Sequence, residues 1–431
     1  MSTATSPLRT AFRNNFGGLP RPFWIVFAGM IANRIGTMVV PFLVFYLGSR
    51  GVSTAQTGGI VIALGIGGMF GPVLGGSLAD RIGRRSAVII GLVATPAGLG
   101  ALLAAPSTVT LGAAAALLGL TSGVYRPAAS ALVGDVVGSE LRGKAFSLLH
   151  WGFNIGTAVA SAAAGYLAAR GFWLLFLLDA ATCLIYAVIV VLGIPKDLPR
   201  PETTKAAAGE GADGKAAGGK AKGGLGYGVV FRDRLMLAHM ALSTLGITVY
   251  TQTEFTIPLA IREDGLSPEV YGFVGVANAV LVVALQPVLY GRLAKLPRIK
   301  VLAASWALIG IGVASTGLAG NAWQYVLTVV VWSVGEVVNG VVAGAIVADI
   351  APAEARGRYQ GAISWVWSAA RLAAPATAVG LFTTVGPAAL WWGCAVTGIL
   401  TALATLRLTA AVERRVNPPQ PENTKLTENA L

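Results

Sequence analysis

The chain has 431 residues, of which 55% are hydrophobic and only 12% are charged, and its formal net charge is +13. A soluble domain is about a quarter charged, so this composition excludes an ordinary water-exposed surface and favours the bilayer as solvent. Cys183 and Cys394 stand in apolar runs without CxxC or His neighbours, which indicates buried thiols rather than a zinc site. The first 22 residues lack the pattern of a signal peptide.

Twelve apolar segments long enough to span a bilayer follow one another along the chain. Six precede a linker rich in Gly, Ala and Lys, and six follow it. The predicted spans are 23–47, 57–79, 86–105, 109–137, 145–169, 172–194, 235–261, 268–291, 299–319, 322–350, 357–384 and 388–410. We therefore predict an all-α membrane protein with twelve transmembrane helices in two six-helix bundles.

The domain boundaries follow from these spans. The bundles are predicted at 23–194 and 235–410, and the flexible linker at 195–234. The segments at 1–22 and 411–431 are predicted as the two cytoplasmic ends of the chain.

Lysine and arginine are distributed unequally between the two sides of this arrangement. The side with both termini and the linker carries 26 of them, the other side carries three, and three more lie within spans. The positive-inside rule therefore places both termini and the linker in the cytoplasm. Because the basic charge is a topology signal, nucleic acid is not an expected partner.

The two halves are related by an internal repeat. With a shift of 214 residues, "GDVVGSELRGKA" overlays "ADIAPAEARGRY" and Asp135 falls on Asp349. With a shift of 215, Pro72 falls on Pro287. Six spans per repeat give parallel repeats, which predicts a substrate path between the halves near the bilayer midplane.

The stretch "GGSLADRIGRRS", residues 75–86, concentrates charge between the second and third spans. It resembles the loop motif G-x-L-a-D-r-x-G-r-[rk] of the major facilitator superfamily. The matching residues are Gly76, Leu78, Asp80, Arg81, Gly83, Arg84 and Arg85. With twelve spans in two related halves, the resemblance covers essentially the whole chain. It implies the major facilitator fold and transport by alternating access between two pseudo-symmetric bundles.

These loop residues are expected to form a conformational latch. Gly83 permits the tight turn of a short loop. Asp80 is expected to bond to neighbouring helix ends or loop arginines and so to hold the halves in one state. The alternative is that the loop arginines only anchor the topology. Lys295 stands where the second half would repeat the acid of the motif, so we expect the stronger latch in the first half.

Three arginines lie deep within predicted spans. Arg126, in "GVYRPAASALVGD", resembles the fourth-span arginine of proton-coupled members of the superfamily. A charge at that depth costs at least a few kcal/mol, so we expect it to face a cavity and to be paired. The alternative is that it braces helices. Arg34 and Arg371 are equally deep and are further cavity candidates.

The fifth span supplies another candidate. "FNIGTAVASAAAGYL" partly resembles the antiporter motif of that span, with Asn154, Gly156 and Gly165 at matching positions and small residues where the family has Gly-Pro. Small residues permit close helix packing. The candidates for stacking on a substrate, with anchoring and packing as the alternative, are Trp306, Trp332, Trp365 and Trp367.

Proton coupling needs a deep group that can be charged or neutral, and arginine stays protonated. The deep acids are Glu336, Glu254 and Asp179, and the first two resemble positions of multidrug exporters in the superfamily. Glu336 lies nearest the middle of its span and is predicted as the principal proton carrier. The alternatives are a permanent ion pair of Glu336 with Arg126 or Arg371, and a purely structural hydrogen bond for Asp179.

The sequence thus predicts a secondary transporter resembling the drug:proton antiporter branch, which exports small amphipathic compounds. A proton-coupled importer and an exporter of one endogenous metabolite stay open as alternatives, and a membrane-embedded enzyme is a remote one because no catalytic cluster is present. We expect no catalytic residue, metal or cofactor, and the proton gradient as energy source. The expected partners are a small-molecule substrate, protons and the lipid bilayer, for a monomer in a bacterial cytoplasmic membrane.

Overall fold

The computed structural model describes residues 18–138, 141–195, 228–293, 295–352 and 355–416. The described first half consists of α1 (Arg21–Gly36), α2 (Leu43–Ser49), α3 (Thr54–Ile82), α4 (Arg84–Ala104), α5 (Thr108–Val136), α6 (Arg142–Arg170) and α7 (Phe172–Gly193). Most of the predicted linker lies outside the described residues, and so does most of each predicted end segment. The conformation of these parts stays a prediction.

The described second half begins with a short helix and ends with another. It consists of α8 (Gly228–Arg232), α9 (Arg234–Glu263), α10 (Pro268–Leu293), α11 (Arg298–Ser315), α12 (Ala322–Ile350), α13 (Arg356–Thr384), α14 (Pro387–Arg407) and α15 (Thr409–Val416). Helices α5 and α12 begin and end 214 residues apart, and so do α6 and α13. The predicted fold class, an all-α membrane protein of two pseudo-symmetric six-helix bundles, is confirmed.

The first predicted span is a broken helix rather than a continuous one. Helix α1 ends at Gly36, and α2 begins at Leu43. Pro41 lies in the break, where it lacks an amide hydrogen and disfavours helix in the residue before it. The Val39 amide in the break donates to the Asp179 carboxylate of α7 at 3.4 Å. The break is therefore held from outside the segment as well as by its own proline.

Four of the predicted spans differ from the other eight in helix length or in polarity. Within the described residues, eight helices are long and apolar enough to cross a membrane by length and composition alone: α3, α4, α5, α7, α10, α11, α12 and α14. The remaining four spans are the broken α1–α2 pair, α6, α9 and α13. These carry Arg34, Asn154, Glu254 and Arg371, respectively. Deep charged residues are not confined to these four spans, since Arg126 lies on α5 and Glu336 on α12.

The buried core shows how the halves meet. We call the side of the bundles where the described chain begins and ends the terminal face, and the opposite side the distal face. One hydrophobic cluster consists of first-half residues near the terminal face, including Phe23, Val88 and Tyr186. A second, larger cluster runs from the distal ends of the first half into the second half, joining Phe42 to Phe255. The halves therefore share a core on the distal side.

Candidate substrate and proton site

The distal face is closed by contacts between α2 and the end of α9, together with the start of α10. The rings of Phe42 and Phe45 lie 5.4 Å and 6.1 Å from the ring of Tyr271. Arg262 donates through Nη2 to the Val52 carbonyl oxygen at 3.1 Å. These contacts combine apolar packing with a hydrogen bond across the two halves.

Close helix approach extends this closure along α6 and α10. A Cβ atom added at Gly272 would lie 3.1 Å from the Cα of Gly165, and one added at Gly275 would lie 2.6 Å from the Ser161 side chain. At mid-depth, α3 approaches α13, where a Cβ at Gly65 would lie 3.8 Å from the Arg371 carbonyl oxygen. The small residues of the fifth span thus form part of the contact between halves.

The four helices of these contacts, α3, α6, α10 and α13, are accessible at their terminal-face ends. Asp80 at the end of α3 is exposed. Val288 of α10 is 53% exposed and Trp365 of α13 is 44% exposed. Together with the shared distal core, this exposure indicates that the space between the halves opens toward the terminal face.

Glu336, in the middle of α12, is held by uncharged donors. Its Oε1 accepts a hydrogen bond from the Tyr250 hydroxyl of α9 at 2.9 Å, and its Oε2 accepts one from Asn278 Nδ2 of α10 at 2.7 Å. Asn278 also donates to Ser333 Oγ, one turn before Glu336, at 2.9 Å. Three helices therefore fix this carboxyl group without supplying a counter-ion.

Glu254 has a different environment, because it pairs with Arg371. The distance from Arg371 Nη2 to Glu254 Oε1 is 3.4 Å, and the two side chains are 51% and 49% exposed. The Arg371 guanidinium also lies 5.8 Å from the ring centroid of Trp367. The pair thus borders the accessible space between the halves.

Aromatic rings surround these two acids. Tyr250 makes edge contacts with Trp332 and Trp367, with ring centroids 6.3 Å and 6.1 Å apart. Trp332 is 4% exposed, and its indole nitrogen has no hydrogen-bond partner among the described residues. The second half therefore presents an apolar wall with two carboxyl groups in it.

The first half supplies two arginines at similar depth. Arg34 Nε donates to Thr157 Oγ1 at 2.8 Å, and its Cζ lies 4.0 Å from the ring centroid of Phe153. Arg34 is close enough to Arg126, Glu254 and Arg371 to interact with them electrostatically. The Arg126 residue is exposed. The expected ion pair of Arg126 is not present among the described residues. The cavity role of these arginines stays a prediction.

Asp179 belongs to a separate buried chain of polar groups. Tyr125 donates to Asn33 Oδ1 at 2.8 Å, and Asn33 donates to Cys183 Sγ at 3.1 Å. The Cys183 thiol lies 4.0 Å from Asp179 Oδ1. The other Asp179 oxygen accepts from the Val39 amide in the break of the first span. Asp179 therefore accepts hydrogen bonds within the first half, and whether its role is structural or in proton transfer stays a prediction.

The structure brings six of the predicted site residues to one region, namely Arg34, Arg126, Glu254, Glu336, Arg371 and Trp332. It places Trp365 elsewhere, stacked on Phe231 of α8 at 5.6 Å. Asn154 lies half-buried on α6, beside Phe153 in sequence. Sequence reasoning missed Tyr250 and Asn278, whereas Trp367 was among the predicted stacking candidates. Of the two missed residues, only Tyr250 gave a signal, because it stands one helical turn before Glu254.

The loop motif at 76–85 is divided in the structure. Arg84 forms an ion pair with Asp135 at the end of α5 and donates to the Ala131 carbonyl oxygen at 2.9 Å. Arg85 donates to the last carbonyl groups of α7, those of Val191 and Ile194, at 2.8 Å and 2.7 Å. Both arginines thus tie helix ends within the first half.

The other motif residues are more accessible. Asp80 and Arg81 are exposed, and a Cβ at Gly76 would meet nothing within 4 Å. Gly83 has φ 89°, a value that favours glycine, at the turn between α3 and α4. Asp80 forms no ion pair with the residues that the structure describes. Nor do the described His, Cys, Asp and Glu residues form a group of three that could hold a metal ion.

The family model described as Major Facilitator Superfamily matches residues 25–264 and 253–430 of the chain. A Na(+), Li(+), K(+)/H(+) antiporter of Planococcus maritimus is 25% identical over 78% of this chain and 84% of its own. Multidrug resistance protein MdtH of Cronobacter sakazakii (strain ATCC BAA-894) is 25% identical over 67% of this chain and 68% of its own. A crystal structure of the peptide transporter POT shares the fold, with a TM-score of 0.72 at 19% identity, over 93% of this chain and 96% of that one.

Proposed function

Because the chain belongs to the major facilitator superfamily, we propose that this secondary transporter couples proton entry to the export of small amphipathic compounds. The names of two relatives, an antiporter and a multidrug resistance protein, support exchange and a broad cargo class. In this proposal the two bundles alternate access to the site between them. The protein works as a monomer in a bacterial cytoplasmic membrane with both termini in the cytoplasm.

The observation that carries the proposal is the environment of Glu336. Its two oxygens accept hydrogen bonds from neutral donors, Tyr250 and Asn278, and it forms no ion pair with Arg126 or Arg371. Such a carboxyl group can gain or lose a proton without breaking an ion pair. A deep carboxyl group that can change its charge is the element that proton coupling needs.

The Glu254–Arg371 pair is the second carrier candidate. An exposed pair contributes little stability and is easily opened. Protonation of Glu254 would release Arg371, and cargo that binds Arg371 would release Glu254. We rank Glu254 second because its carboxylate has a counter-ion at 3.4 Å, whereas Glu336 forms no ion pair with the residues that the structure describes.

The accessible side of the site supports export. The terminal face is the side that carries the excess of Lys and Arg, so the positive-inside rule places it in the cytoplasm. In the arrangement seen here, cargo can then reach the site from the cytoplasm. Closing the terminal face and opening the distal face would release the cargo outside the cell. Import driven by protons is the competing outcome of the experiment below.

The test uses everted membrane vesicles that contain the transporter and a respiration-driven proton gradient. Each of three probe compounds, ethidium, 4-tert-butylbenzoate and 4-tert-butylbenzamide, is added, and release of protons from the vesicle lumen is followed with a pH-sensitive dye. We expect at least one probe to release protons in a transporter-dependent manner. Probe-dependent proton entry into the lumen of right-side-out vesicles, without release from everted ones, would support import instead. No probe-dependent proton movement in either orientation would contradict proton coupling of this cargo class.

The variant Glu336→Gln identifies the carrier. Because Gln mimics the protonated carboxyl group, this variant should lose probe-induced proton release while retaining energy-independent counterflow of the same probe. Glu413→Gln, on the exposed face of α15, is the matched control and should behave as the wild type. Normal proton release by Glu336→Gln would exclude Glu336 as the carrier and move the test to Glu254.

A further inference from the structure

The charges around the central space are unevenly distributed between the two halves. The second half contributes two acids and one arginine, and its only described ion pair at this depth joins Glu254 to Arg371. The first half contributes Arg34 and Arg126, and neither forms an ion pair with a residue that the structure describes. The first-half wall of the space therefore carries positive charge without a bound counter-ion.

Within the first-half helices that the structure describes, no acid lies where it could neutralise this wall. Within the first-half helices the acids are Asp80 and Asp135, which lie at helix ends on the terminal face, and Asp179. Asp135 is bound to Arg84. Asp179 is 5% exposed and faces the break of the first span, where it accepts from the Val39 amide. The counter-charge for Arg34 and Arg126 must therefore come from outside this bundle.

The geometry of Arg34 suits an added anion. Thr157 occupies its Nε, and the Phe153 ring lies under its guanidinium plane, so the orientation of the side chain is fixed. Its two terminal nitrogens form no hydrogen bond with described residues, and they are not among the buried unpartnered atoms. A fixed guanidinium with accessible terminal nitrogens presents the fork that binds carboxylate and other oxyanions.

We propose that Arg34 and Arg126 form an anion subsite, and that the cargo is an amphipathic molecule with a carboxylate or similarly compact oxyanion. This inference rests on the proposed function and names the substrate class of the same site. At this depth two guanidinium groups without an ion pair among the described residues are costly, and an anion offsets that cost. The aromatic wall of Tyr250 and Trp367 opposite then contacts the apolar body of the cargo.

An anionic cargo has an electrical consequence. When a carboxylate leaves the cell and a proton enters, both movements are driven by an inside-negative membrane potential, at about 2.3 kcal/mol per charge per 100 mV. A cation exchanged for one proton would move no net charge. Electrogenic transport is therefore expected for the acid probe, whereas electroneutral exchange would indicate a cationic cargo.

Binding to the purified full-length protein in a neutral detergent tests the subsite without a proton gradient. The probes are 4-tert-butylbenzoate, its neutral amide 4-tert-butylbenzamide and the cation 4-tert-butylbenzylammonium, which share one apolar body. The readout is the concentration dependence of the thermal unfolding midpoint. We expect the benzoate to bind at least about tenfold more tightly than the amide, and the ammonium to bind most weakly.

Two variants locate the preference. Arg34→Gln and Arg126→Gln should each reduce the preference for benzoate over amide about tenfold, while amide binding stays near the wild-type value. Arg170→Gln, which removes an exposed arginine at the distal end of α6, is the matched control and should keep the full preference. Should Arg34→Gln not fold, Arg34→Lys retains the charge and loses the fork, and a reduced preference is expected for it too.

Three results would overturn the proposal: tighter binding of the ammonium than the benzoate, an unchanged preference in both Gln variants, or no stabilisation by the benzoate. Phosphatidylglycerol added to the same detergent tests a lipid headgroup as the occupant, and stronger stabilisation by the lipid than by the benzoate would also overturn the assignment to cargo. Because no gradient is present, these results do not depend on whether Glu336 carries the proton.

Discussion

Arg84 pairs with Asp135 where the third and fourth spans reach the terminal face. The second half repeats this relationship 214 residues further along the chain, with Arg298 and Asp349. Each arginine is the first residue of its helix, and each aspartate lies one residue before the last residue of the other helix. A carboxylate next to a helix N-terminus is also favoured by the helix dipole. Both halves thus use one device to join the same two helices.

We predict that Arg84 and Asp135 are energetically coupled. Arg84→Ala and Asp135→Asn should each lower the thermal unfolding midpoint, and the double variant should lose little more than either single one, for a coupling on the order of 1 kcal/mol. Arg81→Ala, the exposed neighbour without an ion pair among described residues, is the control and should change the midpoint little. Strictly additive losses in the double variant would show that the pair contributes no stability of its own.

Asp80 is predicted to act in a conformation other than the one described. Because Asp80 is exposed here, Asp80→Asn should leave probe binding in this state unchanged. Turnover should fall about tenfold or more if the carboxylate stabilises the opposite state or the path to it. Transport rate and probe affinity are measured on the same preparation, with Ser77→Ala, an exposed position on the same helix, as control. A large loss of affinity with normal turnover is the outcome that speaks against a latch.

Glycine at position 67 is predicted to be essential for the packing of α3 on α5. An added Cβ there would lie 1.9 Å from the Ala116 carbonyl oxygen, so backbone would have to move. Gly67→Ala should cost about 1–3 kcal/mol of stability through overpacking. Gly59→Ala is the matched control on the same helix, because its Cβ would meet nothing within 4 Å. Size-exclusion profiles and thermal unfolding compare the two variants, and equal behaviour would contradict this packing.

The start of the second half carries a pH-dependent contact outside the spans. Asp233 caps α9 by accepting from the Leu235 and Met236 amides, and it also accepts from Tyr359 and Arg415 at 2.7 Å. Burial acts to raise the pKa of Asp233, but the hydrogen bonds from Tyr359, Met236 and Arg415 outweigh it and hold the pKa below its ordinary value of 3.8.

The sign of the pH effect follows from this lowered pKa. The stability that Asp233 contributes is complete above its ordinary pKa and is lost as the pH falls through the lower folded-state value. Asp233→Asn keeps a good cap and loses the charge, so it should lower the unfolding midpoint at pH 7, and the difference from wild type should shrink at acidic pH. Asp233→Ala, which also loses the cap, should cost about 1 kcal/mol more at pH 7. A pH-independent difference for Asp233→Asn would rule out a contribution from the charge.

Sequence reasoning reached the fold and several members of the site because those signals are local. Span length and hydropathy give the helices, and the depth of Glu336 follows from its place in its own span. Its partners could not be found in this way, since Tyr250 and Asn278 lie on two other helices whose rotation is set by packing. Nothing in the sequence of α12 alone shows that Glu336 would meet neutral donors rather than an arginine.

Trp365 illustrates the same limit within one helix. Residues two positions apart on a helix are separated by about 200° around its axis, so Trp365 and Trp367 point to nearly opposite sides. The sequence offered both rings at similar depth, and the structure places Trp367 beside Tyr250 and Trp365 against Phe231. Similarly, Pro41 by itself is compatible with a kinked but continuous helix, whereas the complete break also involves the hydrogen bond from the Val39 amide to Asp179 of α7.

The closed distal face has a consequence for pharmacology. In the arrangement described, a compound aimed at the polar cluster around Glu336 can approach only from the terminal face. In the orientation that we propose, with the terminal face in the cytoplasm, a membrane-impermeant inhibitor applied to intact cells would find no entrance, whereas the same molecule would act on inverted vesicles. Inhibitors of this state therefore have to cross the membrane first, and potency ranked on whole cells would report permeability together with affinity.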